Sequence, residues 1–241
     1  MTKQKRLLIL LLISLLLNIT LAGIIWISGG KPQKKAAQTF TPAAWLTDLF
    51  RYLPHREGEI VFLGNSITQG FRVQEFFPEL NIINRGVWGD RTDDILERLN
   101  EVVTGKPKAV FIMAGINDLL RGATVEQTSS NLDKIIRQVR LKAPGAKIIV
   151  QSVLPVEGKI SVRYLDDPDR ANDLVRKYNE RIQQLCDLQQ VRFVDLYPRF
   201  EADGSLDPAY SWDGIHPNGK GYLVWLKQIS PILVEITDNK E

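Results

Sequence analysis

A short polar sequence interrupts an apolar run in the first third of the chain, and it contains a serine that could act as a nucleophile. Residues 60–63 have the composition of a strand, and Gly64, Asn65 and Ser66 follow them directly. Gly, Asn and Ser are common turn residues, so a plain turn is the simplest interpretation. The alternative is that Ser66 stands at a strand-to-helix corner, where a neighbouring base could activate its hydroxyl.

Strand-like and helix-like segments alternate along residues 42–241. Short strand-like segments occur at residues 60–63, 81–84, 109–113, 147–150 and 191–194. Apolar residues at helical spacing occur at residues 43–53, 91–103, 125–142, 168–189 and 221–236. This alternation predicts an α/β fold, a three-layer α/β/α sandwich with a five-stranded parallel sheet, flavodoxin-like in outline. The third run is apolar throughout, so we expect it at the centre of the sheet.

Polar residues follow each predicted strand, which is where sites gather in parallel sheets. The segments in question are residues 64–66, 85–90, 114–118, 151–167 and 212–217. Because the carboxyl ends of parallel strands meet at one edge of a sheet, these segments are expected to lie together. A plain turn after residues 60–63 does not explain why polar segments follow all five predicted strands. A functional site at the carboxyl edge of the sheet explains it.

Four of these segments resemble the marker motifs of the SGNH hydrolases, also called GDSL-type esterases and lipases. The motifs are GNSI at 64–67, NRGVWGD at 84–90, GIND at 115–118 and DGIH at 213–216, in the family's order. Each motif is common by chance, whereas four in order, each after a predicted strand, are specific. The spacing and GIND resemble the acetylhydrolase-like and lysophospholipase-like branch. The first motif departs from the commoner Gly-Asp-Ser-Leu, because Asn65 replaces the Asp, which is not the triad acid.

The resemblance implies a catalytic triad of Ser66, His216 and Asp213. His216, one of two histidines in the chain, would take the proton of Ser66 as general base. Asp213 would accept a hydrogen bond from the imidazole and fix its tautomer. Pro217 disfavours helix at His216, so this unit is expected on a loop ahead of the last helix. The other histidine, His55, precedes the first strand in a turn and is interpreted as a surface residue.

The resemblance also implies an oxyanion hole, formed by the backbone N–H groups of Ser66 and Gly89 and the side-chain amide of Asn117. Asp118 is expected to support the Asn117 loop and not to touch substrate. By position, Trp88 and Trp212 are possible walls of the substrate pocket, together with the loop at residues 153–167.

The function implied is a serine esterase acting on carboxylic esters with short or medium acyl groups, acetyl esters and lysophospholipids included. An O-acyltransferase on envelope sugars would use the same triad, with a sugar hydroxyl in place of water. A catalytically silent, membrane-tethered glycan-binding module is a third reading, which the complete set of Ser66, Asp213 and His216 disfavours. An α/β-hydrolase is also disfavoured. The nucleophile motif of that fold is Gly-x-Ser-x-Gly, and Thr68 stands at the position of its last glycine.

The N-terminus has the pattern of a membrane anchor. Residues 7–27 carry no charge over 21 positions, long enough to cross roughly 30 Å of hydrocarbon. The basic residues within 1–6 favour a cytoplasmic N-terminus, and residues 28–41 read as a polar linker. We therefore expect an uncleaved, single-pass signal anchor with an extracytoplasmic catalytic domain at 42–241. Cleavage near Ala22 is the alternative, and it would give a secreted enzyme.

The composition argues against several other classes of protein. The net charge is +3, but residues 1–41 hold six Lys or Arg and no Asp or Glu, which leaves 25 basic against 28 acidic residues in the domain. A nucleic-acid partner is therefore not expected. The single cysteine, Cys186, excludes an intrachain disulfide and is interpreted as a core residue. No HExxH or CxxC pattern occurs, so neither a metal nor another cofactor is predicted.

Overall fold

The computed structural model describes residues 41–157 and 170–238, together with residues 4, 5, 14–16, 18 and 20. The predicted anchor at 7–27 and the linker at 28–41 lie almost entirely outside these described residues. Within the described part, no helix has the length and apolar character needed to cross a membrane. The chain divides into two compact units, Met1–Phe40 and Thr41–Glu241. The fold described below is that of the second unit.

Five parallel strands form the main sheet of the described domain. They are β1 (Ile60–Gly64), β2 (Ile82–Gly86), β3 (Ala109–Met113), β4 (Lys147–Gln151) and β5 (Arg192–Val194). Their order across the sheet is β2-β1-β3-β4-β5, and all four pairings are parallel. Every residue of β1 and of β3 is buried, so both faces of the sheet are covered. The predicted α/β class, its five-stranded parallel sheet and the central place of β3 are confirmed.

Helices connect the strands and close the chain. They are α1 (Pro42–Phe50), α2 (Ser66–Gly70), α3 (Val73–Phe76), α4 (Thr92–Glu97), α5 (Asn100–Val103), α6 (Ile116–Leu120), α7 (Val125–Lys142), α8 (Arg170–Gln189), α9 (Tyr197–Phe200) and α10 (Gly219–Asp238). A small hairpin, β6 (Glu201–Ala202) with β7 (Ser205–Leu206), and a 3₁₀ turn, Pro208–Tyr210, precede α10. The bounds of α7 agree with the sequence prediction, because Thr124 and Gln127 form a capping box at its start.

The predicted helix over residues 91–103 is wrong in one respect, because the structure breaks it into α4 and α5. The backbone leaves helical angles at Arg98, where φ is −101° and ψ is 11°. Arg98 and Leu99 are 3% and 1% exposed. Consecutive residues of a regular helix point about 100° apart. The break thus accompanies the burial of two neighbouring side chains, one of them charged.

The carboxyl ends of β1, β2 and β3 lie level with one another. Gly64 at the end of β1 is in register with Gly86 of β2 and with Met113 of β3. The segments that follow these strands therefore begin side by side. These are the segments that carry Ser66, Gly89 and Asn117.

Candidate active site

Ser66 is the first residue of α2, at a corner between strand and helix. Asn65 is the N-cap of this helix, and its Oδ1 accepts the N–H of Ile67 at 3.0 Å. A short side chain with an oxygen acceptor is what an N-cap requires, so this position has a role that Asn fills as well as Asp. The Asn65 Nδ2 is buried, with no hydrogen-bond partner in the described part of the chain. Ser66 itself is 9% exposed.

Ser66, His216 and Asp213 form a continuous hydrogen-bonded chain. The Ser66 Oγ lies 2.9 Å from Nε2 of His216. The other ring nitrogen, Nδ1, lies 2.6 Å from Oδ2 of Asp213. Because the Asp213 carboxylate can only accept, we assign the imidazole proton to Nδ1, which leaves Nε2 to accept from the Ser66 hydroxyl. The structure thus brings together three residues whose first and last members are 150 positions apart.

The Asp213 carboxylate is held by its own loop. Its Oδ1 accepts the backbone N–H groups of Ile215 at 3.0 Å and of His216 at 2.8 Å. Burial by itself would raise the pKa of Asp213, but the hydrogen bonds from the His216 side chain and from these two N–H groups outweigh it and lower the pKa to about 2. Asp213 is therefore ionised at any pH near neutrality.

Two further side chains, those of Ser211 and Tyr222, stabilise the loop that carries His216 and the helix after it. The hydroxyl of Ser211 donates to the His216 carbonyl at 2.8 Å and accepts the N–H of Gly214 at 2.9 Å. At the start of α10, the Tyr222 hydroxyl donates to the Ile67 carbonyl at 3.0 Å. This hydrogen bond links α10, which follows His216, to α2, which begins at Ser66. As expected, His216 itself lies on a loop ahead of α10.

The residues predicted for the oxyanion hole follow β1, β2 and β3. Gly89 has φ of +79°, a left-handed conformation that favours glycine. The Asn117 amide donates to the Asp90 carbonyl at 2.9 Å, which ties the loop after β3 to the loop after β2. An amide nitrogen carries two hydrogens. The second is not used in any hydrogen bond within the described part of the chain.

Asp118 faces the protein interior. Its carboxylate accepts the Thr92 N–H at 3.0 and 3.1 Å and the Thr92 hydroxyl at 2.5 Å. Asp118 is 4% exposed, and burial raises its pKa. These contacts place Asp118 where it can hold the Asn117 loop, as the sequence interpretation expects.

The two tryptophans proposed as pocket walls differ in their surroundings. The Trp88 ring stacks on the His216 imidazole, with centroids 4.7 Å apart and planes inclined by 24°. Its backbone N–H donates to Oε1 of Gln69 at 2.6 Å. Trp212 precedes Asp213 and is 90% exposed. Of the predicted loop at 153–167, residues 158–167 lie outside the described residues.

Sequence reasoning missed Arg98, a buried cation beside the site. Its Nε donates to Oδ2 of Asp90 at 2.6 Å, and its Nη2 donates to the Gly64 carbonyl at 3.1 Å. The sequence could have indicated this residue, because Arg98 lies between Ile95 and Val102 on the apolar face of the predicted helix. A charged residue on such a face indicates a buried partner.

The surface interpretation of His55 is wrong. Its side chain is 17% exposed, and its Nδ1 lies 3.5 Å from Oε2 of Glu59. Glu59 is 1% exposed and also accepts the N–H of Arg56 at 2.7 Å. Because this pair precedes β1, it lies at the opposite end of that strand from Ser66. His55 is therefore not a second candidate for the base.

Comparisons with known proteins identify the family of the chain and proteins of similar fold. The model of the GDSL-like lipase/acylhydrolase family matches residues 62–224. The chain is 28% identical over 188 residues to platelet-activating factor acetylhydrolase IB subunit alpha1 of Homo sapiens, covering 75% of this chain and 78% of the relative. A GDSL-like lipase from Bacteroides thetaiotaomicron has a TM-score of 0.70 at 26% identity, covering 80% and 97% of the two chains. The lipase/acylhydrolase from Enterococcus faecalis has a TM-score of 0.57 at 26% identity, covering 73% and 97%.

Proposed function

Because the chain belongs to the GDSL-like lipase/acylhydrolase family, as its four motifs predicted, and is therefore an ester hydrolase, we propose that it cleaves short and medium acyl esters with Ser66 as nucleophile. The observation that carries this proposal is the hydrogen-bonded chain from Ser66 through His216 to Asp213, with distances of 2.9 and 2.6 Å. These are the distances that a nucleophile, its base and an orienting acid require.

In the proposed acylation step, the Ser66 Oγ attacks the carbonyl carbon of the ester. Its proton passes to Nε2 of His216 as the new C–O bond forms, and the carbonyl oxygen becomes an oxyanion. The tetrahedral intermediate then collapses, and the alcohol leaves with the proton from Nε2. Asp213, ionised and bonded to Nδ1, stabilises the transient imidazolium throughout.

Deacylation repeats the same proton path with water. His216 removes a proton from water, the hydroxide attacks the acyl carbon, and the carboxylic acid departs as the Ser66 hydroxyl is restored. A sugar hydroxyl in place of water would give the acyltransferase alternative. Product analysis separates the two, because transfer conserves the ester bond and hydrolysis releases an acid.

The oxyanion would be stabilised by N–H groups of three residues that follow neighbouring strands. We assign this role to the backbone of Ser66 and Gly89 and to the side-chain amide of Asn117. The level ends of β1, β2 and β3 and the Asn117–Asp90 hydrogen bond support the assignment. Losing one such donor typically costs about 3 kcal/mol of transition-state stabilisation.

For the substrate, we favour an acetyl or other short acyl ester. Support for an acetyl group as the acyl part of the substrate comes from the name of a relative, platelet-activating factor acetylhydrolase. Trp88, which is 59% exposed, offers an open aromatic surface beside the base for the alcohol part of the ester, and Trp212, next to Asp213 in the chain, is 90% exposed. An open site of this kind suits a small acyl group with a large alcohol, such as an acetylated lipid or an acetylated sugar.

For the location of the enzyme, we retain the prediction of a single-pass signal anchor at residues 7–27 with the catalytic domain outside the cytoplasm. The support is the uncharged stretch and the basic residues before it. N-terminal sequencing of the mature protein tests it. A mature chain that begins at Gly23 would replace the anchor with a cleaved signal.

The proposed function is tested by hydrolysis of p-nitrophenyl esters from acetate to decanoate by the full-length protein. We expect turnover that falls as the acyl chain lengthens, and loss of turnover in Ser66→Ala. Ser129→Ala is the matched control, because Ser129 is also buried but lies on α7 and donates to the Glu126 carbonyl. Wild-type turnover in Ser66→Ala would exclude Ser66 as nucleophile, and a wild type inactive on every ester would favour the binding-module alternative.

A further inference from the structure

We propose that the buried ion pair of Asp90 and Arg98 is a positioning device that holds the three oxyanion donors in register. The inference rests on the proposed function, because it assigns a task to residues outside the triad and outside the oxyanion hole. Asp90 and Arg98 act through Ser66, Gly89 and Asn117 and are positioning residues. Their effect is therefore expected on turnover more than on substrate binding.

The guanidinium of Arg98 joins the end of β1 to Asp90 in the loop after β2. Its Nε donates to Oδ2 of Asp90 at 2.6 Å, and its Nη2 donates to the Gly64 carbonyl at 3.1 Å. Both side chains are buried, at 3% and 8% exposure. The Gly64 carbonyl also accepts the backbone N–H of Val87 at 3.1 Å, and the register of β1 with β2 ends at Gly64. Arg98 thus adds a side-chain bridge from the last residue of β1 to Asp90, which lies farther along the loop after β2 than Val87.

The groups that Arg98 binds adjoin the oxyanion donors along the chain. Gly64 lies two residues before Ser66, and Asp90 directly follows Gly89. The Asp90 backbone carbonyl also accepts the Asn117 amide at 2.9 Å. Asp90 therefore contacts the third donor through its backbone and contacts Arg98 through its side chain. One residue pair connects all three donor-bearing segments.

The burial of this pair is difficult to explain by stability. Taking two charges out of water carries a desolvation penalty of several kcal/mol per ion, and an apolar pair of similar volume is often as stable. Burial raises the pKa of Asp90 to about 6 even though Arg98 opposes that shift, and Asp94 and Asp93 on α4 add to it. The pair instead supplies directional bonds, which apolar packing lacks. Directional bonds are what a three-donor site requires, because a 1 Å misplacement can lower a rate by about 10²-fold.

The test compares turnover and KM for the wild type, Asp90→Asn, Arg98→Lys and the double variant Asp90→Asn/Arg98→Gln in the full-length protein. We expect kcat on p-nitrophenyl acetate to fall by roughly 10- to 100-fold while KM changes by less than about 3-fold, the signature of interactions made in the transition state. The double variant should lose no more than the worse single variant, because the two residues act as one unit.

Arg140→Lys is the matched control. Arg140 is an exposed arginine on α7 that donates to Oε1 of Gln189 at 2.8 Å, away from the site. We expect this variant to lower the melting temperature and leave kcat unchanged. If a single variant fails to fold, the double variant decides, because it leaves no unpaired charge buried.

Two results would overturn the proposal, and both differ from a failure of the proposed function. One is a folded Asp90 or Arg98 variant with wild-type kcat. The other is a kcat loss in Arg140→Lys as large as that in the site variants, which would reduce the pair to general stability. In both cases the wild type remains active and Ser66→Ala remains inactive. A wild type without esterase activity would instead refute the proposed function and this inference with it.

Discussion

The indole ring of Trp88 lies against the imidazole of His216, with the ring centroids 4.7 Å apart and the planes inclined by 24°. The imidazole is therefore fixed on three sides, by Ser66 and Asp213 at its two nitrogens and by an aromatic face. Trp88 belongs to the same segment as Gly89, so the loop after β2 contacts the base and carries a proposed oxyanion donor. A change in this loop should affect both halves of the site.

Replacement of Trp88 by Ala is expected to lower kcat/KM. A stacked aromatic pair contributes roughly 0.5–1.5 kcal/mol, which corresponds to a loss of about 2- to 10-fold. Trp88→Phe keeps an aromatic face and should recover most of the activity. Trp45→Ala, at an exposed position on α1, is the control. Equal activity in Trp88→Ala and the wild type, measured on p-nitrophenyl acetate, would show that the stacking does not orient the base.

Replacement of Asp213 by Asn should reduce kcat much more. An amide at this position can present its NH₂ to Nδ1 and favour the wrong tautomer, and in a comparable triad this change lowers kcat by about 10⁴-fold. Because the Asp213 side chain is 53% exposed, we expect a smaller loss here, on the order of 10²- to 10³-fold.

Steady-state kinetics with Asp207→Asn as control tests this expectation. Asp207 also bonds a backbone N–H, that of Ala209 at 2.8 Å, but it has no contact with His216 in the described structure. A loss under 3-fold in Asp213→Asn would mean that the backbone holds His216 without the carboxylate.

The Asn at position 65 leads to a prediction about stability. Asn65→Ala removes the acceptor of the Ile67 N–H and should lower the free energy of unfolding by about 1 kcal/mol. Asn65→Asp gives the commoner Gly-Asp-Ser sequence of the motif and keeps an oxygen acceptor. It should therefore retain the N-cap hydrogen bond and the activity. Urea unfolding and ester hydrolysis measure the two effects. A destabilised or inactive Asn65→Asp would show that the amide is required here.

The ion pair predicts a pH dependence of stability. The pKa of Asp90 is raised to about 6 in the folded protein, so the folded state binds this proton more tightly than the unfolded chain does. The corresponding stabilisation is complete below pH 4 and is lost as the pH rises through about 6, with an upper limit of roughly 3 kcal/mol.

Unfolding free energies from pH 4 to 7.5 should therefore fall more steeply for the wild type than for Asp90→Asn. The comparison of the two slopes isolates Asp90, since the other carboxylates are common to both proteins. Parallel slopes would contradict the raised pKa. The variant is expected to be less stable at pH 7, because it leaves Arg98 without a charged partner.

Most of the fold could be predicted from the sequence, because short strand-like segments alternate with segments whose apolar residues recur at helical spacing. Residues 109–113 and 125–142 were predicted with the bounds the structure has, since strong burial and a capping box mark them locally. The strand-to-helix corner at Ser66 anticipated a helix there, but the bounds of α2 and the existence of α6 were not predicted. Each has five residues, fewer than the window in which helical periodicity is visible.

The sequence by itself determined the residue types of the site and the strand ends at which they stand. Through the resemblance of its motifs to those of the SGNH hydrolases, it implied a triad of Ser66, Asp213 and His216, and the order of the predicted strands placed these residues at one edge of the sheet. It also predicted the family, since four local motifs in order carry that information.

The tertiary structure decided which groups touch. The stacking of Trp88 on His216, the fastening of α10 to α2 by Tyr222, and the bridge of Arg98 from Asp90 to Gly64 all join segments distant in the chain. No local pattern encodes such contacts, because they depend on how strands are ordered and how far each loop extends. Directional bonds within about 3 Å arise only once the packed sheet has fixed those distances.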